Sequence, residues 1–315
     1  MLPQMNDKFD AFIAPAREHT GGLLFLGAVL FLLLAYTELT FGIIGLFGLG
    51  VSVIDGTDIA HSFSSVSGDI ADPVTPQSMI AVLVTFISML AAVWLTVGLF
   101  RGQSIRTLLG PGAVLRNFLI TCAVMAPVVA VFFLVTLSGT SATPNLPLPE
   151  WIFWMLPALP LLLIQVSSEE LVFRGYLMQE FATRFSSRWI WIVLPSLIFG
   201  CLHFDPSKFG SNGILVVLAT TLFGVIASDL TIRTGNLGAA IGLHFMNNFM
   251  AMMLVSLDGT MNGLSLFVTQ THVSQHSEVR GFLLTDIGSI VVLYGIYLLG
   301  MRWIERRRER QLSRR

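Results

Sequence analysis

Val166-Ser-Ser-Glu-Glu-Leu-Val-Phe-Arg-Gly-Tyr176 sets two adjacent acids and an arginine against the apolar run from Trp151 to Val166. Charge inside a bilayer costs ~2.5–3.5 kcal/mol per residue on insertion scales, so such groups face a protein-lined or wet interior. Glu170 and Arg174 are spaced i,i+4 with the acid first, the favourable order for a helical pair. Glu169 lies about 100° round the helix from Glu170 and is left without a local partner. Of the six histidines, two fall in apolar segments. His203 closes Phe199-Gly-Cys-Leu-His203, and His244 opens His244-Phe-Met-Asn-Asn248 on one helix face with Asn248. A carboxylate bonded to water can act as a general base, and His203 could orient that water and shuttle its proton. His244 and Asn248 are donors that could hold the oxyanion of an attacked carbonyl, which makes the chemistry hydrolysis. Ser167 and Ser168 have no local basic partner, so no nucleophilic side chain is invoked. Metal chemistry stays open, because Glu169, His203 and His244 supply one oxygen and two nitrogen ligands of the kind found in catalytic zinc sites. The local His-Glu-x-x-His spacing of zinc proteases is absent, so zinc is permitted and not indicated.

These residues need helices to carry them. The 315 residues are 54% hydrophobic and 12% charged, with a mean hydropathy of +0.77. A soluble domain carries about 25% charged residues, so the composition indicates an all-α polytopic membrane protein. The net charge of -1 argues against nucleic acid as a partner. Cys122 and Cys201 both lie in apolar segments and imply no disulfide framework.

About eight spans are expected. The first starts at Gly21, and its apolar character persists to Ile54, which allows one long tilted helix or, the preferred reading, a helix and then a glycine-broken interfacial piece. A polar loop follows over 55–77, and further spans are expected at 78–100 and 118–137. The fourth starts between Trp151 and Leu161, because Pro157 and Pro160 blur its beginning, and runs on towards Phe185. The others are expected at 189–204, 214–232, 236–257 and 282–304. At ~1.5 Å per residue, His244 is about 12 Å from Asn236 and His203 about 18 Å from Trp191. Glu169 is about 18 Å from Pro157 on the opposite side, so the three can meet near the middle of a ~30 Å core. The cavity is then built by the fourth, fifth and seventh spans. Gly238-Ala-Ala-Ile-Gly242 would let another helix approach closely. With both termini cytoplasmic, only Lys208 and Arg280 of the 18 basic residues fall outside. Three regions follow: a three-span region over 1–150, a core over 151–257, and a loop, last span and basic tail over 258–315. No internal repeat marks a transporter built from matching halves.

Glu169-Glu170-x-x-x-Arg174, Phe199-x-x-x-His203 and His244-x-x-x-Asn248, in that order on successive apolar segments, resemble the three-motif signature of the CPBP family. These are the CAAX-protease and bacteriocin-processing (Abi) intramembrane endopeptidases. The resemblance covers about Trp151 to Leu257. It implies an eight-helix, glutamate-type membrane endopeptidase with a cavity open to the cytoplasm and the bilayer, needing no cofactor. It assigns water activation to Glu169 and His203, oxyanion stabilisation to His244 and Asn248, and a supporting role to Glu170 and Arg174. A metal-dependent form would use Glu169, His203 and His244 as zinc ligands. The partners it implies are membrane lipids and a peptide or prenylated protein, and the location a bacterial plasma membrane. A transport, immunity or scaffolding role for the polar centre is the competing class.

The remaining polar residues have plainer expectations. Asp229 and Arg233 are placed for a salt bridge, and Asn247 points away from Asn248 on the helix. Glu38 and Asp286 are intramembrane acids with no assigned role. His272 and His276 sit in an outer loop, and Met246, Met250, Met252 and Met253 fill helix packing or a substrate groove.

Overall fold

The structure, a computed structural model, describes residues 7–18, 21–138 and 142–312; the side chain of Asp286 and the final arginines, 314 and 315, lie outside the described residues. The helices in chain order are α1 (Asp7–Ile13), α2 (Gly22–Asp55), α3 (Ile59–Ala71), α4 (Pro76–Arg101), α5 (Arg106–Leu109) and α6 (Val114–Ser138). Then come α7 (Leu148–Glu170), α8 (Met178–Arg184), α9 (Leu194–Cys201), α10 (Pro206–Phe209), α11 (Gly213–Thr234), α12 (Gly238–Asn248) and α13 (His276–Leu312). Wide i→i+5 turns join α7 to α8 over Leu171–Leu177, precede α9 over Trp189–Val193, and extend α12 over Phe249–Leu254. Such turns often mark functional positions in helices. Three strands, β1 (Ala142–Pro144), β2 (Val255–Asp258) and β3 (Phe267–His272), form a small sheet in the order β1-β3-β2.

Among the described residues, six helical stretches are long and apolar enough to cross a membrane: Gly22–Asp55, Pro76–Arg101, Val114–Ser138, Leu148–Arg184, Pro206–Thr234 and His276–Gly300. The chain is an all-α polytopic membrane protein. All eight expected spans are helical, but the fifth is the shorter Trp189–Cys201 and the seventh ends where Val255 enters β2.

Local chemistry explains where the helices stop and where the sequence misleads. Thr75 and Ser78 form a reciprocal capping box with Pro76 in the first turn, and Gly102 at φ 61° closes α4. The expected loop over 55–77 contains α3, whose first turn is capped by Asp58 accepting from the Ala60 and His61 N–H groups. α2 does not break at its glycines. A Cβ on Gly42, Gly45 or Gly50 would meet nothing within 4 Å, whereas one on Gly48 would come within 3.0 Å of the Phe63 backbone. The glycine there admits α3 against an unbroken helix. Pro157 and Pro160 lie inside α7, which starts at Leu148; membrane helices tolerate internal proline where neighbours satisfy the freed backbone.

One hydrophobic cluster joins the N-terminal Phe9 and Phe12 to Leu83, Leu108, Leu162 and Tyr176. α12 lies directly on α6, as its small residues predict. A Cβ on Gly238 would sit 2.1 Å from the Val114 carbonyl oxygen, and one on Gly242 would sit 2.8 Å from that of Phe118.

Candidate active site

α7 brings Gln165, Glu169 and Glu170 to the site, all buried. With α7 starting at Leu148, Glu169 lies about 32 Å along the helix at 1.5 Å per residue. That is a full membrane thickness and not the half expected from Pro157. It meets α12 early instead, since His244 is about 9 Å from Gly238 on the same count.

The acids are tied together through His244. Its Nδ1 lies 2.8 Å from Glu170 Oε1, which also accepts from Arg174 Nη1 at 3.0 Å. A carboxylate only accepts, so Nδ1 carries the hydrogen of the first contact. His244 Nε2 then faces Glu169 Oε2 at 3.4 Å. Glu169 does have a local partner: Gln165, one turn earlier, donates Nε2–H to Oε2 at 2.8 Å. Gln165 Oε1 accepts from Asn248 Nδ2 at 3.0 Å, and Asn248 Oδ1 accepts from Asn247 Nδ2 at 3.2 Å. Asn247, expected to point away, belongs to this chain of contacts.

His203 is placed differently. α9 ends at Cys201, and His203 stands exposed in the turn that follows. Its Nδ1 donates to the Phe199 carbonyl oxygen at 2.8 Å, which in the neutral ring leaves Nε2 as the free acceptor. The Phe199 ring connects the two halves of the site. Its centroid lies 4.7 Å from that of His203 and 5.9 Å from that of His244, and the Arg174 guanidinium carbon is 4.8 Å from it.

A cavity of about 190 Å³ opens between Phe199, His203, Thr220, Phe223, His244 and Asn248. Asn247 and Ile290 line it as well. Thus α11 and α13, besides the expected fifth and seventh segments, supply its walls. Glu169 on the fourth reaches the cavity through His244. The structure gathers Glu169, Glu170, Arg174, His244 and Asn248 into one bonded cluster, with His203 at the open side.

Gln165, Asn247, Phe199 and Phe223 are the parts the motif reading left without a role. Gln165 had a signal, as the only polar side chain between Trp151 and Val166 and one turn before Glu169. Phe223, 5.0 Å from the His244 ring centroid, had none in the sequence.

The zinc alternative requires Glu169, His203 and His244 to converge on one point. Among the described residues no group of three or more His, Cys, Asp or Glu side chains is arranged to hold a metal. His244 Nδ1 is bonded to Glu170 and His203 Nδ1 to the Phe199 carbonyl oxygen, which leaves Nε2 of each ring as its remaining donor atom.

Residues 149–250 match the family model described as Type II CAAX prenyl endopeptidase Rce1-like. The chain is also 25% identical to Uncharacterized protein YyaK of Bacillus subtilis (strain 168) over 233 residues, which are 72% of this chain and 76% of the relative's length. No solved structure matches it significantly. The family match spans every residue of the bonded cluster, from Gln165 to Asn248, and the resemblance to the CPBP family read from the three motifs is borne out over this segment.

Proposed function

We propose that the protein is an intramembrane endopeptidase of the CAAX type, in which water activated by Glu169 and His203 cleaves a peptide bond. The observation that carries the reading is the buried Glu169 carboxylate at 3.4 Å from His244 Nε2, beside a cavity that also presents His203 and Asn248. The match to a family of CAAX prenyl endopeptidases supports the same reaction class.

In this scheme the water oxygen attacks the carbonyl carbon while Glu169 takes a proton and His203 Nε2 orients the water. Oε2 of Glu169 already holds the Gln165 donor, so the proton goes to the other oxygen. The carbonyl oxygen becomes the oxyanion and receives hydrogen bonds from Asn248 Nδ2 and, when the ring holds a second proton, from His244 Nε2. Glu170 accepts at Nδ1 and fixes the ring for that task, and Arg174 balances the charge of Glu170. Collapse of the tetrahedral intermediate breaks the C–N bond, and Glu169 returns its proton to the departing amine. The scheme uses no metal and no cofactor. The substrate is a membrane-associated peptide or protein, and a prenylated C-terminal cysteine is the feature to try first. Both termini are assigned to the cytoplasm on the charge bias of the loops, and the membrane is read as a bacterial plasma membrane on that topology and the family resemblance.

Comparing all peptide termini in cells that carry the wild-type protein or Glu169→Gln, at matched membrane levels, tests the proposal. New termini are expected only with wild type, since losing a general base costs ~10²–10⁴ in rate. Identical termini under conditions where deletion of the protein has a phenotype would overturn the endopeptidase reading.

A further inference from the structure

Carboxamides can point either way, because an amide carries a donor and an acceptor of nearly equal shape. At this site the direction is dictated from one end. Glu169 Oε2 can only accept, so Gln165 must turn its Nε2 towards it, at 2.8 Å. That leaves Gln165 Oε1 facing Asn248, and an oxygen there is satisfied only by the Nδ2 of Asn248, at 3.0 Å. Asn248 Oδ1 is thereby turned to the opposite side, where Asn247 Nδ2 donates to it at 3.2 Å. Each amide is set by its neighbour, outward from the carboxylate. Had Asn248 the reverse orientation, it would offer an oxygen where an oxyanion needs a hydrogen. With Nδ2 turned as it is, one hydrogen goes to Gln165 and the second remains for the substrate.

On the strength of this geometry we infer that Gln165 is a positioning residue of the reaction. It transmits the acceptor character of Glu169 to Asn248 and holds that amide ready to donate to the oxyanion. The inference rests on the endopeptidase reading, and it links the water-activating end of the site to the oxyanion end through one side chain. Gln165 is 5% exposed and both ends of its amide are bonded. A buried amide in an apolar helix is costly when unsatisfied, and here each end is matched to a group with its own role in the reaction. Its place on α7, bonded to α12 across the helix interface, also makes the orientation of Asn248 depend on the register of those two helices.

Gln165→Met keeps the length of the side chain and removes both hydrogen-bonding ends. Purified protein in detergent would be assayed with an internally quenched peptide bearing a farnesylated cysteine three residues from its C-terminus, or with a peptide identified by the comparison of termini. Gln165→Met is expected to lower kcat by about 10- to 100-fold, less than or comparable to the loss of an oxyanion donor itself. KM should stay within about twofold, the pattern of an interaction made only in the transition state. In an Asn248→Ala background the same change should cost no more than about threefold, since no amide remains to be oriented. An equal loss in both backgrounds, or wild-type kcat in Gln165→Met, would overturn the inference while leaving the endopeptidase reading intact. Failure of the wild-type protein to cleave either peptide would overturn that reading and this inference with it.

Discussion

Arg174 is fully buried between a helix-borne acid and an aromatic ring, and it shows how much one side chain carries in this molecule. It donates to Glu170 at 3.0 Å and stacks 4.8 Å above Phe199. Gly224 makes room for it, since a Cβ there would approach Nη2 within 2.7 Å. Through Glu170 the arginine supports the ring of His244, and through Phe199 it supports the segment carrying His203. Removing it leaves Glu170 buried with an uncompensated charge, for which breaking a buried pair typically costs ~3–5 kcal/mol. Arg174→Met is therefore expected to lower thermal stability in detergent by about that amount, and Glu170→Gln added to it should restore part of the loss. A melting temperature equal to wild type in Arg174→Met would contradict this. The pair was legible from its i,i+4 spacing. Its link to His244 was not, because 74 residues separate His244 from Glu170 and local spacing says nothing across such a distance.

At the level of elements, α12 and α7 must cross with their polar positions in register, and two glycines decide how near α12 comes to the rest. Gly238 and Gly242 press it on the α6 backbone at Val114 and Phe118. Close packing of small residues is a main source of helix association in membranes, where lipid is as apolar as a side chain. Gly242→Val would meet the Phe118 carbonyl and push the helices apart. The expected cost is ~1–3 kcal/mol, as for other overpacking changes, together with lost turnover as His244 and Asn248 move off Glu169 and Gln165. Gly281→Val, where a Cβ meets nothing within 4 Å, is the control that should melt within a degree or two of wild type in the same unfolding experiment. The glycine pattern was readable in the sequence, though its partner helix was not. Gly42, Gly45 and Gly50 of α2 show the limit of that reading: similar spacing there neither breaks the helix nor admits a neighbour.

Across the whole molecule, polar contacts outside the site form separate groups. Arg101, the last residue of α4, is buried and bonded to Glu180 and Gln179, while Arg184 also contacts Glu180. Gln179 reaches the Phe12 carbonyl oxygen of the N-terminal segment at 3.0 Å. At another place Lys208 donates to the Ala71 carbonyl oxygen, and Arg280 donates to Asn212. The first group joins residues expected on the inner side, and the second joins loops expected outside. Glu38, in the middle of α2, is exposed and takes no part in either. Asp229 and Arg233 form the expected salt bridge, and Tyr294 of α13 donates to Asp229. Glu180→Ala leaves the buried Arg101 without its carboxylate partner, and should destabilise the protein by ~3–5 kcal/mol. The check is thermal unfolding of the purified variant, and unchanged stability would mean that water replaces the carboxylate.

Composition and hydrophobic run length determined by themselves that the chain is a helical membrane protein, because burial in lipid leaves few other ways to satisfy a backbone. Residue type and short spacing determined the pairing of Glu170 with Arg174, the close approach permitted by Gly238 and Gly242, and the candidate set Glu169, His203, His244 and Asn248. These are local properties, fixed within one or two helical turns. Tertiary structure alone decided that His244 stands between the two glutamates and that Phe199 holds Arg174, His203 and His244 about one ring. It also decided that Gln165 and Asn247 belong to the site and that α11 and α13 wall the cavity. Those facts depend on which helix faces which and at what depth, and that is set by the packing of many side chains far apart in the chain.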